Sequence, residues 1–292
     1  MTAAPAIQRP RLGGLRLAVR GNPLLVSGLV IATFFLLVAV FAPLLAPYPA
    51  DAGSATHPLS SFLPPSWHHP FGTDDVGRDL FSRVIYGTRI SLTIAAVVIA
   101  FSCVVGIPLG IVAGYFGGIV DDVLMRVTDV FLAFPALLLA LALASVLTPS
   151  VANATLAIAL TWWPWYARLA RGQAVSIAGR PYIESCRALG LGSFRILLRH
   201  VLPNSVTPVI VQASLDVGGV ILTAAALSFL GLGAQDPTPE WGLLVSQGEP
   251  YFTTQWWLVT FPGLAILVAA LAFNLVGDGL RDRLDPRRVI AR

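Results

Sequence analysis

Residues 184–203 read ESCRALGLGSFRILLRHVLP, a polar, arginine-bearing stretch set between long apolar runs. The residue order predicts two short helices joined by a glycine turn. Pro181 suits a first helical turn, where its missing N–H would have no partner anyway. Glu184 places negative charge near that helix start, where the helix dipole favours it. Gly190 and Gly192 can adopt the left-handed conformation that ends a helix. Ser193 is expected to cap the next helix and Pro203 to stop it. Each helix would be about 8 residues long, below the roughly 12–15 at which isolated helices hold in water. The pair must therefore pack on something, either its own protein or a soluble partner.

Composition sets the surroundings. Of 292 residues, 56% are hydrophobic and only 12% charged, against about 25% charged in soluble domains; mean hydropathy is +0.77. The chain reads as an all-α integral membrane protein. All 19 basic residues are arginine, which excludes a Walker A loop, since that motif needs its lysine on the phosphates. The net charge of +4 does not by itself point to nucleic acid, and none is expected. Cys103 and Cys186 fall in different settings, so no disulfide framework is expected. The first apolar run is too long for a cleavable signal and reads as a retained anchor. No H-E-x-x-H or G-x-S-x-G is present, and no catalytic residue is expected. His68-His69 lacks the spaced second pair of a structural metal site, so no metal or other cofactor is expected in this chain.

A bilayer core takes about 20 apolar residues per helix. Six spans are expected, over residues 24–46, 90–114, 123–147, 151–170, 206–230 and 256–276. Arginine sets the orientation. Arg9, Arg11, Arg16, Arg20, Arg126, Arg168, Arg171, Arg180, Arg187, Arg195, Arg199, Arg281, Arg283, Arg287, Arg288 and Arg292 fall on one side. Arg78, Arg83 and Arg89 share the long first loop with Asp51, Asp74, Asp75 and Asp79. Both termini and the 181–203 segment are expected in the cytoplasm. The resulting organisation is a tail over 1–23, a first helix over 24–46, an outer loop over 47–89, a five-helix core over 90–278 and a second tail over 279–292.

Glu184, then Gly190, then nine residues and a closing Leu202-Pro203 resemble the EAA loop of permease subunits in binding-protein-dependent ABC importers. Ser185 and Cys186 stand where that pattern has alanines, and all are small. His200 fills a position that is often hydrophobic. The segment His69-Pro70-Phe71-Gly72-Thr73-Asp74-x-x-Gly77-Arg78-Asp79 is similar to the peptide-permease branch of that family. So are residues 225–235, AALSFLGLGAQ, followed by Pro237-Thr238-Pro239-Glu240-Trp241-Gly242, and Asn22-Pro23-Leu24 ahead of the first span. Similarity runs over about residues 20–288 and is greatest to the second, C-type permease of dipeptide and oligopeptide importers.

The resemblance implies a type I ABC importer permease bundle in a prokaryotic inner membrane. Its expected partners are a homologous second permease, two ATPase subunits that hold ATP and Mg2+, and an extracytoplasmic peptide-binding protein. It also implies that the segment 181–203 carries coupling helices seated on an ATPase, with Glu184, Arg187, Ala188, Gly190, Leu191, Gly192, Phe194 and Arg195 at the contact. Ile183, Leu189, Phe194 and Leu197 would pack there or on the bundle, while Arg187, Arg195 and Arg199 meet acids. Nickel or another small solute is the runner-up cargo, and an autonomous secondary transporter is the alternative outside the family.

Asp216 lies inside the fifth span, where a charge is costly unless it faces protein or water. It reads either as a translocation-path residue meeting a peptide N-terminus or as a structural partner of a neighbouring helix. Asp129 and Asp278 read as interfacial. Trp162-Trp163-Pro164-Trp165 should kink the fourth span at Pro164, with Trp162 and Trp165 as path candidates beside the commoner packing roles. Trp256-Trp257 suit an aromatic belt. In the segment 231–255, Asp236, Glu240 and Trp241 are candidate contacts for the binding protein, or else part of a lid on the bundle.

Overall fold

The computed structural model describes residues 23–284. The arginines expected to orient the tails at positions 9–20 and 287–292, and Asn22, lie outside them. Nine α-helices and three short 3-10 turns make up the described fold, with no strand among these residues beyond one bridge between Thr73 and Asp79. They are α1 (Pro23–Leu45), α2 (Leu80–Phe116), α3 (Gly118–Leu132), α4 (Ala136–Val146) and α5 (Val151–Ala178), then α6 (Pro181–Ala188), α7 (Ser193–Phe229), α8 (Trp241–Gly248) and α9 (Trp257–Leu284).

Four of these, α1, α2, α7 and α9, are long and apolar enough to cross a bilayer singly. The bent pair α3 and α4 meets the same length and hydropathy only when taken together, as a broken span or a re-entrant loop. The expected span over 123–147 is therefore not one helix but two, meeting at 83°. Pro135 supplies the reason. It cannot donate into the ladder and drives Phe134 away from helical geometry. The remaining expected pass, α5, has the length at 28 residues but not the hydropathy, since it carries Trp162-Trp163-Pro164-Trp165-Tyr166 together with Arg168 and Arg171. Both arginines are paired with α3: Arg171 Nε and Nη2 donate to the two carboxylate oxygens of Asp121 at 2.6 Å, and Arg168 to Asp129. α5 runs on through Pro164.

The centre of the bundle is the α2–α5 pair, with α7, α9 and α1 packed around it. Small residues make the approach close: Gly106, Gly110 and Gly114 of α2 face Trp163, Ala167, Ala170 and Ala174 of α5. Without a hydrophobic drive between helices in lipid, such backbone proximity is the main source of packing energy.

α2 begins ten residues before the expected start at position 90. Asp79 caps it, its Oδ2 accepting from Ser82 N at 2.8 Å. Asp79 also accepts from the His69 ring at 2.9 Å, and its own N–H donates to Asp51 Oδ2 at 2.8 Å. His57 pairs with the other oxygen of Asp51 at 3.0 Å. The first loop is thus folded around its acids, and two of its three histidines, His57 and His69, are spent on them.

Candidate functional site

The segment 181–201 divides its side chains between two directions. α6 starts at Pro181 with Glu184 in its exposed first turn, and ends in a reciprocal pair of bonds: Gly190 N donates to Arg187 O at 2.9 Å and Leu191 N to Cys186 O at 3.1 Å. This is the Schellman arrangement, which needs a left-handed residue at the turn; Gly190 has φ +78°. Ser193 does not cap the next helix; Gly192 holds that position and no side chain bonds there. Nor does Pro203 end it. A π-helical turn over Leu197–Val201 shifts the hydrogen-bond register, and the helix passes through Pro203 into the long apolar rod of α7.

Ile183 (0% exposed) and Leu197 are buried among Ile111, Ala174, Ile177, Ile196 and Val201. Leu189 and Phe194 are 80% and 74% exposed, and flank the Gly190–Gly192 turn. The four apolar residues expected to pack on bundle or partner therefore split, two to each side. Ala188, Gly192 and Arg195 are exposed beside them, and Leu191 is half-buried. Arg187 lays its guanidinium 4.9 Å from the Tyr115 ring centroid. Arg195 and Arg199 form no ion pair among the described residues. An exposed apolar pair ringed by unpaired arginines has the composition of a protein-contact patch.

Asp216 lies near the middle of the apolar stretch of α7. Its Oδ1 accepts from Gln212 Nε2 at 2.9 Å. The Tyr166 hydroxyl and the Trp162 side chain of α5 stand beside it. Oδ2 and the Tyr166 hydroxyl are buried with no completed hydrogen bond. Trp165 is separate: it is half exposed and lines a cleft of about 350 Å³ with Thr161 and the α3–α4 bend over Phe131–Ala136. The structure thus brings Trp162 to Asp216 and places Trp165 on an adjoining face. Tyr166 and Gln212 were not singled out in the sequence; Gln212 at i−4 from Asp216 was the available signal.

On the opposite side of the molecule, the segment 230–256 folds down as a lid. Trp241, 0% exposed, donates Nε1–H to Val84 O at 3.0 Å and meets Phe35 edge-on. Glu240 is equally buried, accepting from Leu243 N at 3.0 Å as the cap of α8 and from Ser91 Oγ at 3.3 Å; its burial pushes the carboxyl pKa up. These two of the three expected binding-protein contacts are internal anchors, and their chemistry is that of seating the lid. Asp236 alone stays exposed. Arg78 Nη1 donates to it at 2.9 Å while Arg78 Nε donates to Asp74 at 2.7 Å. Trp257 is also internal, its ring packed against the first loop, whereas Trp256 is exposed. Phe71 and Phe261 stack at 4.0 Å.

The chain belongs to the family of binding-protein-dependent transport system inner membrane components, which matches residues 106–290; residues 17–65 match the N-terminal transmembrane domain of oligopeptide transport permease C. It is 46% identical to the probable D,D-dipeptide transport system permease protein DdpC of Escherichia coli K12, over 96% of this chain and 94% of that one. It is 44% identical to the dipeptide transport system permease protein DppC of Alkalihalophilus pseudofirmus (92% and 88% covered) and 46% identical to DppC of E. coli K12 (90% and 88%). Among solved structures, an inward-facing form of the MetNI methionine ABC transporter shares the fold at TM-score 0.56 and 15% identity, covering 70% of this chain and 97% of that chain. The chain is a multi-pass inner-membrane permease subunit.

Proposed function

We propose that this chain forms half of the translocation pathway of an ATP-driven importer of short peptides, beside a homologous second permease. Two ATPase subunits bind ATP and Mg2+ and seat on the 181–201 segment; an extracytoplasmic peptide-binding protein delivers cargo to the lid side, where Asp236 remains available. The chain itself performs no chemistry. Both termini lie in the cytoplasm on this reading, which the arginine distribution supports.

The observation that carries the coupling role is the split of one short segment into a buried face at Ile183 and Leu197 and an exposed face at Leu189 and Phe194. Movement of the partner on the exposed face would be passed to the bundle through the buried one. A rigid-body switch between inward-facing and outward-facing states follows. Peptides are favoured over nickel as cargo because the relatives are named for dipeptides.

The test is purification in mild detergent with mass spectrometry of the co-purifying chains, followed by reconstitution. Two ATPase chains, a second permease and ATP-dependent uptake of di- or tripeptides establish the reading. A lone chain that moves solute without an ATPase overturns it.

A further inference from the structure

Gln212, Asp216, Gly219 and Thr223 recur every three or four residues and so share one face of α7. All four remain partly open, and so does Trp162 on the adjoining face of α5. A carboxylate at this depth is expensive unless it meets protein or water. Gln212 satisfies Oδ1 at 2.9 Å, while the Tyr166 hydroxyl and the Trp162 side chain stand beside the carboxylate without closing a hydrogen bond on Oδ2. A carboxylate oxygen held this loosely can accept from a further donor. Trp162 and Tyr166 add two aromatic rings, whose faces attract a cation.

We propose that Asp216, with Trp162 and Tyr166 beside it, forms a subsite in the translocation path that receives the α-ammonium of the transported peptide; this rests on the peptide-importer reading above. Every unblocked peptide carries that ammonium whatever its side chains. A conduit that passes many sequences gains one common handle from it. An ammonium offers N–H donors to the Asp216 carboxylate, and the phenol oxygen of Tyr166 can accept a second bond.

The test uses the assembled importer with Cys103 and Cys186 replaced by alanine and a reporter cysteine introduced as Gly219→Cys. A Cβ at Gly219 meets only Trp162, at an ordinary 3.6 Å, so the reporter fits. Labelling rates with a cationic and an anionic methanethiosulfonate are compared with and without Asp216→Asn. The expected result is a cation preference of about tenfold that collapses in the Asn variant, as loss of one nearby charge in a poorly hydrated site requires. A millimolar dipeptide should slow labelling and its N-acetyl form should not.

Peptide uptake should fall about tenfold in Asp216→Asn with assembly intact, and be largely retained in Asp216→Glu, which keeps the carboxylate. A labelling ratio indifferent to Asp216→Asn, or uptake unchanged by it, overturns the subsite. If the wild-type assembly takes up no peptide at all, the function reading fails instead, and the labelling ratio still decides whether Asp216 faces a cation path.

Discussion

Arg78 and Asp236, separated by 158 residues, share a hydrogen-bonded ion pair of 2.9 Å that ties the lid to the first loop. The Arg78 side chain is almost wholly buried, and it also holds Asp74. Removing Arg78 leaves Asp74 with only Arg83, at 3.7 Å, and frees the half-exposed Asp236 from the first loop. Arg78→Ala should therefore cost about 1–2 kcal/mol of lid stability. Hydrogen exchange of residues 231–255 should accelerate accordingly, while exchange within α5 stays slow.

The same pair gives the lid a pH dependence. Burial pushes the Asp236 carboxyl up, but hydrogen bonds from Arg78 and Gln247, with the charges of Arg78 and Arg83, outweigh it and hold the pKa below its ordinary value. A depressed folded value means the latch is fully present above the unfolded Asp value of about 3.9, and is lost as pH falls through the folded value. Glu240 acts with the opposite sign. Its raised pKa makes the folded lid bind a proton more readily than the unfolded chain, so its burial costs stability as pH rises. Limited proteolysis of the lid across pH 3 to 7 should show the acid-side loosening, and Asp236→Asn should remove it.

Leu189→Asp and Phe194→Asp should leave the subunit folded, because both side chains already face water. Co-purification of the ATPase should weaken in each. Ile183→Asp should instead destabilise the chain by about 3 kcal/mol or more, by placing an unpaired charge among Ile111, Ile177 and Ile196. Thermal unfolding in detergent separates the two outcomes. Equal loss of stability in all three variants would remove the distinction between the two faces.

Gly190→Ala tests the turn alone. No atom lies within 4 Å of a Cβ at this position, so the cost is purely that of φ +78°, about 1–2 kcal/mol. Gly190→Asp carries a similar backbone cost and adds charge beside Leu189 and Phe194. Peptide uptake should fall in both, further in the aspartate variant, with the protein still inserted in the membrane. Normal uptake by Gly190→Asp would count against the coupling role.

Gly110 and Gly172 should respond oppositely to alanine. A Cβ at Gly110 would stand 2.1 Å from Ala167 O, so α2 and α5 would have to part. At Gly172, inside α5, the same Cβ meets nothing, and alanine should stabilise the helix by up to about 1 kcal/mol. Melting temperatures of the two variants in one detergent provide the comparison.

Much of this architecture is written in the residue order. The glycine turn, the apolar spans and the arginine-bearing segment between them follow from residue types at short spacing. The lost details depend on register or on distant partners. Pro203 looks like a helix stop unless the π-turn before it is known, and that turn is a property of the folded backbone. Phe134-Pro135 in an apolar run was a legible break, masked by the uniform hydropathy around it. Asp79 and Ser82 announce an early start for α2, but the surrounding charges make the stretch look like loop. Glu240 and Trp241 look like surface residues by type. Only the fold reveals that Val84, Ser91 and Phe35, from two other helices, are waiting for them.

The helix Ser193–Phe229 is a single piece of 37 residues, about 55 Å at 1.5 Å per residue. Phe194 sits at one end. At the other, Ser228 Oγ accepts from Ala234 N at 3.1 Å and so grips the first residues of the lid. From Leu202 to Phe229 the beam is one unbroken α-helix, and its π-turn and Pro203 lie close to the Phe194 tip. Tilting it by a few degrees displaces both tips in opposite senses at the same instant, so events on the two sides of the membrane need no messenger between them.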